Sequence, residues 1–156
     1  MIKKIVKLLL VVCWMGLIFS FSNDTGNAST KKSDGFIVKS IEIFLGRDLT
    51  LEEKGNYIFY FVKPVRKGAH LGVYLILGGL VLTNLYEYIK NKRVGALLAL
   101  FISFLYACSD EFHQLFINGR SGQVSDVLLD TIGAGLGILM VVILRKWKYE
   151  QKERIS

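Results

Sequence analysis

The sequence predicts an all-α polytopic membrane protein, a helical bundle of four transmembrane helices with one or two short amphipathic helices in the first outer loop. Three observations lead there. Apolar runs at about Ile5–Phe21, Ala69–Tyr86, Val94–Cys108 and Val127–Leu144 are each near the length that crosses a bilayer, and 52% of the residues are hydrophobic. The runs lack the two-residue alternation of barrel strands, so the helix is the backbone form left to satisfy its own polar groups in lipid. Lysine and arginine cluster in every second connecting region, as they do in proteins that cross a membrane several times.

The first run follows Lys3, Lys4 and Lys7. A basic start and an apolar middle also describe a secretory signal, but this run is long for a signal core and is followed by Phe21-Ser-Asn-Asp, not by a small-x-small site. It is therefore read as a span. In the outer loop 22–68, Ser22–Gly35 is rich in Ser, Thr, Asn, Asp, Lys and Gly and reads as a flexible linker. From Phe36 onward, Phe36, Ile37, Ser40, Ile41, Phe44 and Leu45 share one helical face, which suggests an amphipathic helix at the membrane surface. Thr50-Leu51-Glu52-Glu53 has capping-box form and should open a second helix carrying Tyr57, Ile58, Phe61 and Val62, ending near Pro64. Such a pair could cover the mouth of the bundle as a lid or serve only as interfacial packing.

Orientation follows from the short flanks. Lys3, Lys4 and Lys7, then Lys90, Lys92 and Arg93, then Arg145, Lys146, Lys148, Lys152 and Arg154 fall on one side of a four-span chain, which the positive-inside tendency places in the cytoplasm with both termini. The loop 23–68 holds eight basic residues, but it is long and also holds six acidic ones, so it weighs less. The net charge of +7 is explained by anchoring to anionic lipid and calls for no nucleic acid. Cys13 and Cys108 fall in apolar stretches, without disulfide or zinc spacing. The whole of 1–156 reads as one membrane domain with a cytoplasmic tail 145–156.

The outward edge of the bundle carries the chemistry. Between the third and fourth runs, residues 109–130 hold Asp110, Glu111, His113, Arg120, Asp126 and Asp130, and ionisable groups beside membrane segments are costly enough to suggest function. On the second span, Lys63, Lys67, His70 and Tyr74 share a face continued by Gly78, with Arg66 adjacent. Lysines there would ordinarily be snorkelling anchors and Tyr74 an interfacial one, but an imidazole inside an apolar run lacks that explanation. Asp110, His113 and Gln114 share a face of the third helix, with Glu111 turned aside by about a hundred degrees. A carboxylate one turn from an imidazole suits a general acid or base, and equally a helix-end ion pair. Two acids and a histidine could also ligate a divalent cation, although no zinc-protease spacing is present. Arg120, flanked by Gly119 and Gly122, suits bidentate recognition of phosphate. Ser125 and Asp126 fit the start of the fourth helix as cap and dipole partner. Asp130, one turn deeper, shares a face with Gly133 and Gly137, whose spacing lets membrane helices approach closely; its carboxylate should point into the bundle and seek His70, Arg120 or Lys67.

Three separated stretches, Arg66-Lys67-Gly-Ala-His70-Leu-Gly-Val-Tyr74-Leu-Ile-Leu-Gly78, Leu105 to Arg120, and Asp126-Val-Leu-Leu-Asp130-Thr-Ile-Gly133-Ala-Gly-Leu-Gly137, closely resemble the VanZ-like membrane proteins, as does Trp14 to Ser22 in the first span. The chain departs from many relatives at Val73, where they carry Glu, and at Asn23-Asp24, where they carry a glutamine. The resemblance implies a cell-envelope role; the name-giving member is associated with low-level resistance to the glycopeptide teicoplanin. Two classes of function follow. As a hydrolase or transferase, the protein would act on the head group of a membrane lipid or lipid-linked wall precursor, with Arg66, Lys67 and Arg120 holding phosphate beside Tyr74 and Gln114. His113, oriented by Asp110 or Glu111, would move a proton, and Asp126 and Asp130 would orient His70 or a bound cation. Ser109 and Ser121 are the candidate nucleophiles. As a binding or shielding protein, it would use the same charged mouth without turnover. A transporter fits less well, because four short spans show no repeat.

Overall fold

A computed structural model of the chain describes residues 2–155; Met1 and Ser156, the ends of the predicted domain and tail, lie outside the described residues. Five helices follow one another: α1 (Ile2–Ser22), α2 (Gly26–Leu45), α3 (Leu51–Leu85), α4 (Lys92–Gln114) and α5 (Val124–Ile155). Of these, α1, α3, α4 and α5 are long and apolar enough to cross a membrane. Their outward faces expose Leu9, Val12, Leu97, Phe101, Leu105, Ile132 and Leu139, each at least half accessible. So much apolar surface would be a liability in water, but it suits helices solvated by lipid tails.

The bundle is organised around α3, which packs against each of the other four helices and most extensively against α5. Tyr74, Leu77, Val81 and Leu82 of α3 are buried among Val11 and Ile18 of α1, Ala99 and Ala107 of α4, and Ile138 of α5. The α3–α5 seam is built on backbone. A Cβ placed on Gly137 would lie 1.8 Å from the carbonyl oxygen of Leu75, one on Gly78 2.3 Å from that of Ala134, and one on Gly133 2.5 Å from that of Leu71. Close packing through small residues is how membrane helices associate without a hydrophobic driving force, and the Gly133 and Gly137 spacing anticipates it.

Each end of the bundle has its own chemistry. Lys4 donates to the backbone carbonyl of Glu87 at 3.1 Å, Lys7 pairs with the Glu87 carboxylate, and Arg145 lies 4.4 Å over the Tyr86 ring. The start of α1, the α3–α4 connection and the distal part of α5 therefore share one face. His70, Asp110 and Asp130 lie toward the other.

Three boundaries differ from the sequence reading. The segment read as linker is helical from Gly26: Thr25 caps α2 by accepting from the Ala28 amide at 3.3 Å, and the amide of Gly26 docks on the carbonyl of Asn118 at 3.0 Å. Polar composition hid a helix whose start is held by a distant loop. The helix opened by the Thr50 capping box does not end near Pro64 but continues as the 35-residue α3. At about 1.5 Å per residue it spans roughly 50 Å, more than the ~30 Å hydrocarbon core. Proline lacks the amide and crowds the carbonyl one turn back, a cost of about 3 kcal/mol, yet the helix runs on through Pro64. The third span does not stop at Cys108; α4 runs to Gln114 because Asp110, Glu111 and Gln114 turn into the protein, not out to water.

Helix α2 folds back along the first half of α3. It ends at Gly46, whose φ of 66° glycine adopts without strain, and its amide bonds the carbonyl of Glu42 at 2.9 Å. Glu42 closes the hairpin, accepting from the Leu49 amide at 3.1 Å and pairing with Lys54 at 3.1 Å. The Leu49 amide, then Lys54, hold the Glu42 carboxyl below its ordinary value. A carboxylate depressed in the folded state stabilises fully above the ordinary Glu range and loses that contribution as pH falls through the lowered value. The Leu49 amide resonance of the protein in micelles should thus titrate below the ordinary Glu range, and the titration should vanish in Glu42→Gln. Gly137→Leu should cost about 3 kcal/mol or more by overpacking the seam. Gly16→Ala, with nothing within 4 Å of the added Cβ, should leave the melting temperature unchanged or slightly higher.

Candidate functional site

The candidate cluster is assembled where three helices converge. From α3 comes His70, from α4 Asp110 and Glu111, and from α5 Asp130; one ligating atom from each lies within 4.8 Å of the others. The three carboxylates are 2%, 5% and 0% exposed respectively, so the charge is enclosed by protein. Asp130 reaches this position because Gly133 and Gly137 let α5 press against α3, and its Oδ1 lies 3.5 Å from His70 Nδ1, long for a hydrogen bond. Of the three partners expected for Asp130, the structure selects His70. Lys67 stands 4.0 Å from Asp126 instead, outside the buried cluster.

Glu111 departs from the expectation that it turns aside. It is buried, with Oε2 accepting from the Gln123 amide at 2.9 Å and Oε1 accepting from Gln114 Nε2 at 3.1 Å. Because α4 is enclosed over a wider arc than one helical stripe, neighbouring Asp110 and Glu111 both face inward. Gln114 also approaches Asp110 Oδ2 at 3.3 Å and Ser22 Oγ at 3.5 Å, tying the two acids to the end of α1. His113 goes elsewhere. Its ring packs against Phe19 with centroids 4.6 Å apart, and its buried Nε2 makes no hydrogen bond to the carboxylates expected to orient it. Tyr74 is not an interfacial anchor; it is fully buried one turn beyond His70.

Two cavities open beside the cluster, and His70 and Arg66 line both. The first, about 220 Å³, has an apolar wall of Ile18, Phe21, Val65 and Val73, with Lys32, Arg120 and Asp110 among its polar lining. The second, about 320 Å³, is lined by Lys63, Lys67, Gln123 and Asp126 as well. Sequence reasoning missed Ser22, Asp24, Ser29, Lys32 and Ser33 as lining, because residues 22–35 were read as linker. A Ser29, Lys32, Ser33 spacing was the signal that could have shown them on one face.

Arg120 is placed at this mouth with two donors already engaged. Nε donates to the carbonyl of Asp24 at 2.8 Å and Nη2 to that of Phe21 at 2.9 Å, stapling the α4–α5 loop to the end of α1. Burial first, and Arg66 next, lower its proton affinity, yet a guanidinium stays charged at any physiological pH. Gly119, at φ 77°, lies against Gly26 in the same junction. Ser109 donates to the carbonyl of Tyr106 at 2.8 Å and Ser121 accepts from Gln123 at 3.3 Å; both are exposed, away from the buried acids.

An all-helical bundle with four membrane-length helices and an enclosed histidine–carboxylate cluster at one end is a polytopic membrane protein with a polar site. The family model described as VanZ/LLP1 matches residues 7–145, and the chain belongs to that family. No curated protein and no solved structure matches the chain.

The Arg120 staple makes a measurable prediction. Arg120→Ala should lower stability by about 2 kcal/mol, the scale of lost hydrogen bonds from a charged donor. Arg120→Lys should recover only part of it, because an ammonium cannot reproduce the fork across two carbonyls. Unchanged melting temperatures in detergent would show that the guanidinium is free for other work.

Proposed function

We propose that this membrane protein receives the phosphate-bearing head group of a lipid or lipid-linked wall precursor in the cavity shared by α1, α2, α3 and α4, on the outer face of the cell membrane, and carries out hydrolysis or transfer there. The observation that supports the reading is the composition of that cavity: an apolar wall beside Arg66, Arg120 and Lys32, ending on His70 and Asp110. An amphiphile with an anionic head needs that division of surfaces. The basic residues of the opposite face, near both termini, favour a cytoplasmic assignment for that side by the positive-inside tendency.

Within the site, Arg66 holds phosphate oxygens from a position lining both cavities, and Lys67 does so from the second. His70, partly accessible and backed by the Asp130 carboxylate, carries the proton. It takes the role that spacing alone suggested for His113. Asp110 and Glu111, held by Gln114, orient the polar end of the substrate or a bound water. The exposed positions of Ser109 and Ser121 favour the second reading, in which the same cavity binds or shields precursor or glycopeptide without turnover.

The two readings part in cells. Extracted lipids and lipid-linked precursors should be compared by mass spectrometry in cells expressing wild type, His70→Ala and Asp110→Asn at matched membrane levels. A species whose mass or abundance changes with wild type, by a factor that falls roughly 100-fold or more in the variants, fits acid–base chemistry at His70. Identical profiles, with any glycopeptide-resistance phenotype retained by the variants, would sink catalysis in favour of binding.

A further inference from the structure

We infer that His70, Asp110, Glu111 and Asp130 form a binding site for one divalent metal ion, held between α3, α4 and α5. The inference rests on these side chains alone, whether or not the adjoining cavity takes a lipid; with an ion bound, His70, Asp110 and Glu111 serve as its ligands in place of the roles given them above.

Geometry is the first support. One ligating atom from each of the four residues lies within 4.8 Å of the rest. An ion with bonds of about 2.1–2.4 Å sets opposite ligands roughly 4.2–4.8 Å apart and neighbouring ones roughly 3.0–3.4 Å, so a single ion can be reached by all four with small side-chain adjustments. The unmet bonding of the cluster is the second. Both carboxylate oxygens of Asp130, which is 0% exposed, lack a hydrogen-bond partner, as do Asp110 Oδ1 and His70 Nδ1. The fully buried hydroxyl of Tyr74, one turn along α3, is unpartnered too. Buried polar atoms are nearly always satisfied, and a carboxylate enclosed without a donor is among the costliest exceptions.

Charge points the same way. Three carboxylates outnumber the single imidazole, and no lysine or arginine among the described residues pairs with Asp110, Glu111 or Asp130. Lys67 faces Asp126 at 4.0 Å, and Arg120 donates to the carbonyls of Asp24 and Phe21. A divalent ion supplies both the charge and the missing partners. The surrounding hydrogen bonds already have the pattern of an outer coordination sphere: Gln114 holds Asp110 and Glu111, and the Gln123 amide fixes the other oxygen of Glu111. One imidazole with three carboxylates favours Mn²⁺, Fe²⁺ or Zn²⁺ over the all-oxygen preference of Mg²⁺ and Ca²⁺. The competing way to neutralise the cluster is protonation of the acids.

The full-length protein in detergent, stripped with chelator and desalted, should be offered Mn²⁺, Zn²⁺, Mg²⁺ and Ca²⁺ separately. Metal content and melting temperature are then read, with the Mn²⁺ paramagnetic spectrum as a third readout. About one ion per chain should be retained, with a raised melting temperature. Asp130→Asn and Asp110→Asn should weaken affinity at least tenfold while the exposed Glu150→Gln does not. Gln114→Ala, which leaves all four ligands in place, should weaken it roughly 10- to 100-fold, and it decides the matter if the ligand variants fail to fold. Retention of no ion, or of the same amount in the Asp130→Asn, Asp110→Asn and Gln114→Ala proteins, overturns the site. An Asp130→Asn protein that is more stable than wild type with or without metal would assign the cluster to protonated acids instead.

Discussion

The approach of α3 to α5 through bare backbone governs where every other part of the site falls. Gly78, Gly133 and Gly137 leave no room for a Cβ against the opposing carbonyls. Lipid tails are as apolar as leucine, so the seam is held by dispersion and fit, with little gained from removing apolar surface from water. Asp130 lies one turn from Gly133 and meets His70, one residue from the Leu71 carbonyl on which Gly133 rests. A side chain at either glycine would separate the imidazole from its carboxylate before it changed any functional group.

Having placed charge inside, the fold answers it unevenly. Glu111 receives two donors and Asp110 one, from Gln114 and the backbone of Gln123, whereas Asp130 receives none. Taking ionised groups out of water costs several kcal/mol each unless they are paired and hydrogen-bonded, so this end of the bundle is where burial costs most stability. Further along α3, Leu77, Val81 and Leu82 are apolar and buried, and Asn84 is the buried polar residue near the helix end.

The cavity beside the cluster is walled partly by segments that are not membrane spans. Arg120 fastens the α4–α5 loop to the end of α1, and Gly26 docks the start of α2 on Asn118 in the same loop. Helix α2 then contributes Ser29, Lys32 and Ser33 to the cavity wall. The mouth is thus a junction of two chain segments far apart in sequence, the α1–α2 turn and the α4–α5 loop, and the loop also reaches the cluster through the Gln123 amide on Glu111. Trp14, donating to the carbonyl of Val73 at 2.9 Å, and Tyr106, donating to that of Met15 at 2.5 Å, hold α1 against α3 and α4 in the same region.

Much of this was legible in the residues. Apolar length gave the four membrane helices, and the spacing from Asp130 to Gly133 and Gly137 gave the inward carboxylate and its close neighbour, because both depend on local periodicity that any α-helix must obey. Thr50 and Glu53 announced the start of α3 through a cap whose bonds lie within one turn. Pairings between distant segments were not legible. Whether Asp110 served His113 or joined His70 turned on how α4 rotates against α3 and α5, and Phe19 on α1 took His113 away. The helix hidden in 26–35 starts on a bond to the distant Asn118, and nothing local to Pro64 announces that α3 runs through it. By itself the sequence determined which segments enter the membrane and which residue types meet at its edge, since burial in lipid and helical spacing act on each segment separately. Only the tertiary structure decided that His70, Asp110, Glu111 and Asp130 share one buried point, since that depends on the rotation and depth of three helices packed against one another.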